Sequence, residues 1–273
     1  MSTLYHPERI VALAFLFAIG VGTALLMLPV AQAEGQAAPW LTALFSAVSA
    51  VCVTGLAVVD TGTYWSGFGQ WVLVGLFQVG GFGMMTAATL LGTMVNRSLQ
   101  LRMRLVTQVE SHVIGLGDVT SVAKLVFIVT VAMELLTAAA LATRLHLGYG
   151  LPWNDAAWSG LFHSISAFNN AGFSIHGDSL MRYATDVWML APVMAAIVIG
   201  GLGFPVLHDL RVRWHDPRHW TLHTKLTLMG TAMLLAGGFV VLLWFEWSNA
   251  QTLGALAWPD KMLAAAFSSV SAR

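Results

Sequence analysis

Long apolar stretches alternate along this chain with short polar ones. Crossing the hydrocarbon core of a bilayer takes about 20 mostly apolar residues. Five stretches reach that length, at roughly 10–30, 68–95, 119–143, 186–207 and 222–247. Each predicts a spanning helix. Between the first two lies FSAVSAVCVTGL, residues Phe45 to Leu56. It is too short to cross, and it carries two serines, a threonine, the single cysteine and a glycine. The first apolar stretch, with Arg9 before it and AQA at 31–33 at its end, has the outline of a secretory signal. Its apolar run exceeds the usual 7–15 residues of such a signal, so a spanning helix is expected there.

The short stretch recurs. FHSISAFNNAGF occupies 162–173 and FSSVSA occupies 267–272, so Phe45, Phe162 and Phe267 correspond, as do Ser49, Ser166 and Ser271. Gly55 corresponds to Gly172. The helices that follow repeat as well: QVGGFGMMT carries Gly80, Gly81 and Gly83, and VIGGLGFPV carries Gly200, Gly201 and Gly203. Repeats of this kind mark one structural unit used several times. Residues 1–95 form the first helix–pore loop–helix unit, 96–118 a cytoplasmic link, and 119–207 the second unit. A second link covers 208–221, and 222–273 holds part of a third unit, its outer helix and the start of its short helix.

Each short stretch begins and ends on the same side, so it is re-entrant. Its first half has helical spacing. Its second half, VCVTG or FNNAG, is poor helix material, since Val, Thr and Asn have modest helix propensity and Gly a worse one. Non-helical backbone at membrane depth is tolerated only where protein buries it or water lines it. A short helix followed by an extended strand fits a cation filter built from backbone carbonyls. The expected filter residues are Cys52, Val53, Thr54 and Gly55 in the first loop and Asn169, Asn170, Ala171 and Gly172 in the second. Asp60 and Asp178 are expected at the outer mouth, where acids raise the local cation concentration.

Composition narrows the class. Only 10% of the 273 residues are charged and 57% are hydrophobic, against about 25% charge in soluble domains. The mean hydropathy is +0.73. The fold class expected is therefore an all-α integral membrane protein with tandem helix–pore loop–helix repeats. Zero formal net charge gives no case for a nucleic-acid partner. With the N-terminus inside, nine of the thirteen basic residues fall on inner segments: Arg9, Arg97, Arg102, Arg104, Lys124, Arg211, Arg213, Arg218 and Lys225. That asymmetry matches the rule that Lys and Arg favour the cytoplasmic side.

Several residues invite a functional reading that a plainer one rivals. Glu134 lies mid-helix, and an intramembrane acid is a functional candidate. A structural hydrogen bond to a pore-loop backbone is the reading preferred here. Replacing Glu134 by Gln is then expected to preserve ion selectivity. The glycine clusters are expected to serve close helix packing rather than a gating hinge. His208, His215, His219 and His223, with Asp209 and Asp216, have loose spacing and are read as a solvated loop, not a zinc site. Trp40, Trp65, Trp153 and Trp258 are read as an interfacial belt. No nucleophile–base pair shares a depth, so no enzyme and no cofactor is expected.

SAVCVTGL, DTGTYW, GQWVLVGLFQVGGFGMMT, FHSISAFNNAGFS and IGGLGFPV together resemble the Trk/Ktr/HKT superfamily of potassium transporters, over essentially the whole chain. The resemblance implies a pseudo-fourfold pore made of four repeats, with Gly55 and Gly172 as filter glycines and a preference for potassium. The start of the chain directly at an outer helix is similar to the Ktr branch. That branch implies a homodimer in the cytoplasmic membrane, bound to a cytoplasmic ring of nucleotide-sensing regulatory subunits. Sodium dependence stays open, and a sodium- or proton-coupled secondary cation transporter is the alternative reading. The family would continue past SSVSAR through a third filter, so this stretch of 273 residues is expected not to conduct alone.

Overall fold

The computed structural model describes residues 7–83 and 119–272. Helix α1 runs Pro7–Leu26, followed by the short α2, Trp40–Val51, and a single turn, α3, Thr61–Tyr64. Helix α4 is described over 67–83. The second unit repeats the order with α5, Val119–Tyr149, the short α6, Trp153–Phe168, and α7, Val187–Leu202. Then come α8, Phe204–Val212, α9, Leu222–Glu246, and a third short helix, α10, Trp258–Ser271. All regular structure among the described residues is helical, apart from an isolated antiparallel bridge between Gln32 and Trp65. Residues 84–95 of the expected first repeat and the expected link at 96–118, with Arg97, Arg102 and Arg104, lie outside the described residues.

The three short helices start alike. Pro39 and Pro152 are the N-caps of α2 and α6, and Pro259 is the second residue of α10. Proline has no N–H to leave unpaired and its fixed φ suits a helix start. A tryptophan lies beside each: Trp40, Trp153 and Trp258, all more than half exposed. Trp65 departs from the expected belt. It is 2% exposed and belongs to the core of the first repeat.

Residues 126–149 of α5 and all of α9 are long and apolar enough to cross a bilayer. The expected fourth span, 186–207, ends instead at Leu202. There α7 meets α8 at an angle of 96°. Gly203 makes the corner with φ 80°, a left-handed value that a side chain would strain.

The core has two parts. One joins α2, α4 and α6 around Trp65, Leu73, Phe77 and Phe162. The other joins α5, α6 and α7 around Leu141, Phe168 and Met189. Helix α6 belongs to both, so the second short helix is the keystone between repeats. It reaches α5 closely at Gly160, where a Cβ would lie 2.7 Å from the carbonyl oxygen of Ala138. Across the repeat boundary, α4 presents a stripe at helical spacing: Gln70, Phe77, Gln78 and Gly81. Gln70 accepts a hydrogen bond from the Trp158 indole at 2.7 Å. Phe77 lies edge-on to Phe162, with ring centroids 5.7 Å apart, and stacks on Phe173.

Candidate ion-filter loops

The two loops share one backbone turn. Helix α2 ends at Cys52 in the right-handed region, with φ −83°. Val53 N–H then donates to Ala50 O at 3.2 Å and Thr54 N–H to Ser49 O at 2.9 Å. Helix α6 ends at Asn169, with φ −80°, and Asn170 and Ala171 donate to Ala167 O and Ser166 O at 3.1 and 2.7 Å. These paired bonds are the Schellman closure of a helix C-terminus. The closure requires a left-handed residue, filled by Val53 at φ 55° and Asn170 at φ 56°. Asparagine tolerates that region and a β-branched valine resists it. Cys52, Val53, Asn169 and Asn170 therefore belong to helix caps, and not to extended strands as expected. The non-helical stretches begin at Thr54 and Ala171.

Those stretches meet at their glycines. Gly55 has φ 72° and Gly172 has φ 71°. A Cβ on Gly55 would lie 2.9 Å from the Ala171 carbonyl oxygen and 3.0 Å from the Gly172 Cα, and one on Gly172 would lie 3.0 Å from the Gly55 Cα. Bare backbone faces bare backbone. Ser166 holds the second loop from behind, donating through Oγ to Phe173 O at 2.7 Å. Thr54 donates to Ser49 Oγ at 2.9 Å in the first. Between the second loop and α10 lies a cavity of about 250 Å³, lined in part by Ser166, Asn170, Gly172, Phe267 and Ser271.

The outer acids are tied down. Asp60 caps α3, accepting from the amides of Gly62 and Thr63 at 2.8 and 3.0 Å. Asp178 pairs with Arg182 at 3.0 Å. The guanidinium hydrogen bond holds the Asp178 carboxyl below its usual range and offsets its charge. Asp186 caps α7 and receives Arg144 at 2.8 Å and the Tyr149 hydroxyl at 2.9 Å, joining the C-terminal end of α5 to the start of α7.

The inner-helix glycines divide into two kinds. A Cβ on Gly80 would lie 2.2 Å from Val51 O, and one on Gly200 1.8 Å from Phe168 O. Both helices thus pass directly against the ends of the short helices. At Gly81 a Cβ would meet the Asn169 side-chain oxygen at 1.9 Å, and at Gly83 the Phe15 ring at 2.9 Å. Gly201 lies inside α7. Gly203 corrects the packing expectation: a Cβ there would meet nothing nearer than Pro205 Cδ at 3.9 Å, and its role is the 96° corner.

Glu134 is 6% exposed. Its carboxylate accepts from Asn169 Nδ2 at 3.1 Å and Gln78 Nε2 at 3.3 Å. Its backbone carbonyl accepts from Ser164 Oγ. The side-chain partner at the loop is thus a side chain, Asn169, and not the pore-loop backbone that was expected. Cys52 is half-buried, at the equivalent cap of the first loop.

The model of the TrkH cation transport proteins matches residues 6–273. The chain belongs to the TrkH family. Among individual relatives of this family, the Ktr system potassium uptake protein B of Bacillus subtilis (strain 168) is 40% identical over 98% of this chain and 59% of its own length. The protein of the same name from Vibrio alginolyticus is 37% identical over 97% of this chain and 58% of its own. The potassium/sodium uptake protein NtpJ of Enterococcus hirae is 34% identical over 98% and 58%. The chain spans 58–59% of the length of these three relatives.

Sequence reasoning passed over one cluster in this TrkH-family chain. The imidazoles of His163 and His176 stack with centroids 4.8 Å apart. His163 Nε2 meets Ser174 Oγ at 2.9 Å, and His176 Nε2 meets Ser159 Oγ at 3.1 Å. Together they brace the stretch after Gly172 against α6. The available signal was one histidine inside the motif FHSISAFNNAGFS, His163, and another two residues past its end, His176.

Proposed function

We propose that the chain is the repeat-bearing membrane part of a potassium uptake protein, in which the loops ending at Gly55 and Gly172 form two sides of a channel-like filter. The observation that carries this reading is the contact of two bare, left-handed glycines from equivalent repeats. Close approach of unsubstituted backbone leaves carbonyl groups, with no side chains between them, available to replace the water around an ion. Thr54, Gly55, Ala171 and Gly172 supply that backbone. The ends of α2 and α6 add the partial negative charge of helix C-termini. Asp60 serves as a further attractor at the mouth, and Asp178 contributes less because Arg182 accompanies it.

The basic residues on the α8–α9 link support an N-terminus inside the cytoplasmic membrane. The likeness to two Ktr system uptake proteins supports a homodimer that docks a cytoplasmic nucleotide-sensing ring. The repeat boundaries at 1–95, 119–207 and 222–273 follow the same reading.

One relative's name includes sodium, which favours a second reading, a sodium-coupled secondary cation transporter. Rubidium uptake by bacteria lacking their own potassium uptake systems, expressing the protein from its complete gene, separates these. Uptake that ignores an imposed sodium gradient supports the channel-like reading. Uptake that follows the gradient supports coupling, and no uptake sinks both.

A further inference from the structure

Glu134 and its partners join three elements of two repeats at one point. Asn169 Nδ2, with two hydrogens to share among three acceptors, lies 3.1 Å from Glu134 Oε1, 2.9 Å from Gln78 Oε1 and 2.9 Å from Ile165 O. Gln78 Nε2 returns a bond to the other carboxylate oxygen. Asn169 is 5% exposed and rests on Gly81, where any side chain would displace it. It is also the cap residue directly before left-handed Asn170, from which Ala171 and Gly172 extend. The torsions of Asn169 therefore aim the second filter strand, and its side chain is held from α5 by Glu134 and from α4 by Gln78. A buried carboxylate is kept only where donors satisfy it, and here the donors are these two amides. The first loop has Cys52 at this place, whose thiol is only a weak donor and acceptor.

We propose that Glu134 is a positioning residue for ion selectivity, acting through Asn169 on the second filter strand. The ion does not touch it. This rests on the filter reading above, so the test has one readout that needs transport and one that does not. In the purified full-length protein, Glu134→Ala should raise amide exchange across 170–174 by about tenfold, the scale of one lost hydrogen bond to a charged group. In proteoliposomes, the same variant should lower the discrimination of potassium over sodium, read by competition with rubidium uptake, by a similar factor.

Asn169→Ala should do the same, and the double variant no more than either alone, because both act through one contact. Glu134→Gln keeps an oxygen toward Asn169 and should hold discrimination to within about threefold. Unchanged exchange at 170–174 in Glu134→Ala overturns the proposal, whatever the transport result. Equal loss of discrimination in Glu134→Gln and Glu134→Ala also overturns it, since the charge would then act on the ion directly. Should Glu134→Ala fail to fold, Gln78→Leu, which removes the amide that donates to Glu134 and accepts from Asn169, takes its place with the same outcomes. A wild-type protein that moves no rubidium sinks the filter reading, while the exchange result still decides the positioning claim.

Discussion

At Gly172 a single methyl group meets two obstacles. The left-handed backbone costs an L-residue roughly 1–2 kcal/mol. The new carbon also stands 3.0 Å from the Gly55 Cα, with backbone on both sides and nothing flexible to yield. Gly172→Ala should therefore reduce rubidium uptake by more than tenfold, while the protein still reaches the membrane in normal amount on a blot. In the stretch after the second loop, protons act on His176 and Asp178. Burial, and then Arg182, hold the His176 imidazole below its ordinary pKa of 6.5. The folded state then binds fewer protons than the unfolded one, so stability falls as the pH drops below about 6.5. The depressed Asp178 adds stability above the ordinary carboxylate value of 3.8, lost as the pH falls through its folded pKa. Both signs agree. Amide exchange over 174–183, corrected for its intrinsic pH dependence, should be faster at about pH 5.5 than at about pH 7.5. Equal protection at both values would contradict this assignment.

Among the elements, the passage of α7 across the end of α6 depends on Gly200. A Cβ there meets the Phe168 carbonyl oxygen at 1.8 Å, whereas one on Gly230 of α9 meets nothing within 4 Å. Gly200→Ala should lower the detergent melting temperature clearly, and Gly230→Ala should not lower it, because alanine is the better helix former. Two equal melting curves would remove the close crossing. Much of this level was readable beforehand. The recurrence of Phe45 and Ser49 at Phe162 and Ser166, with a glycine ten residues after each phenylalanine, located the short helices and their loops. What periodicity could not give was where each helix yields to its cap. Cys52 and Val53 continue an apolar run, and only the hydrogen bonds to Ser49 and Ala50 show the turn. Trp65 looks like any interfacial tryptophan until its neighbours are known. The Glu134–Asn169 bond joins residues 35 apart in the chain, and no local pattern encodes it.

Over the whole molecule, the corner at Gly203 turns α8 away from the span before it. Asp209, 6% exposed, fastens α8 to the start of α9, accepting from the Thr221 amide at 2.8 Å and from Arg213 at 3.1 Å. Gly203→Ala strains the corner by roughly 1–2 kcal/mol. Spin labels on α7 and α8 should report a broadened distance distribution in that variant, and an unchanged one would show that Asp209 alone sets the angle. The stripe on α4 has another consequence, for the order in which the protein is made. Gln70 and Gln78 find their side-chain partners 88 and 91 residues further along the chain, at Trp158 and Asn169. A ribosome delivers α4 well before α6. Gln70 keeps its N–H groups on Gly62 O and Trp65 O within the first repeat, but until the second repeat arrives the Gln78 amide has neither Glu134 nor Asn169 to receive it, and an unpaired amide in an apolar medium costs on the order of 2–7 kcal/mol. The newborn first repeat thus has reason to stay beside the insertion machinery until the second catches up.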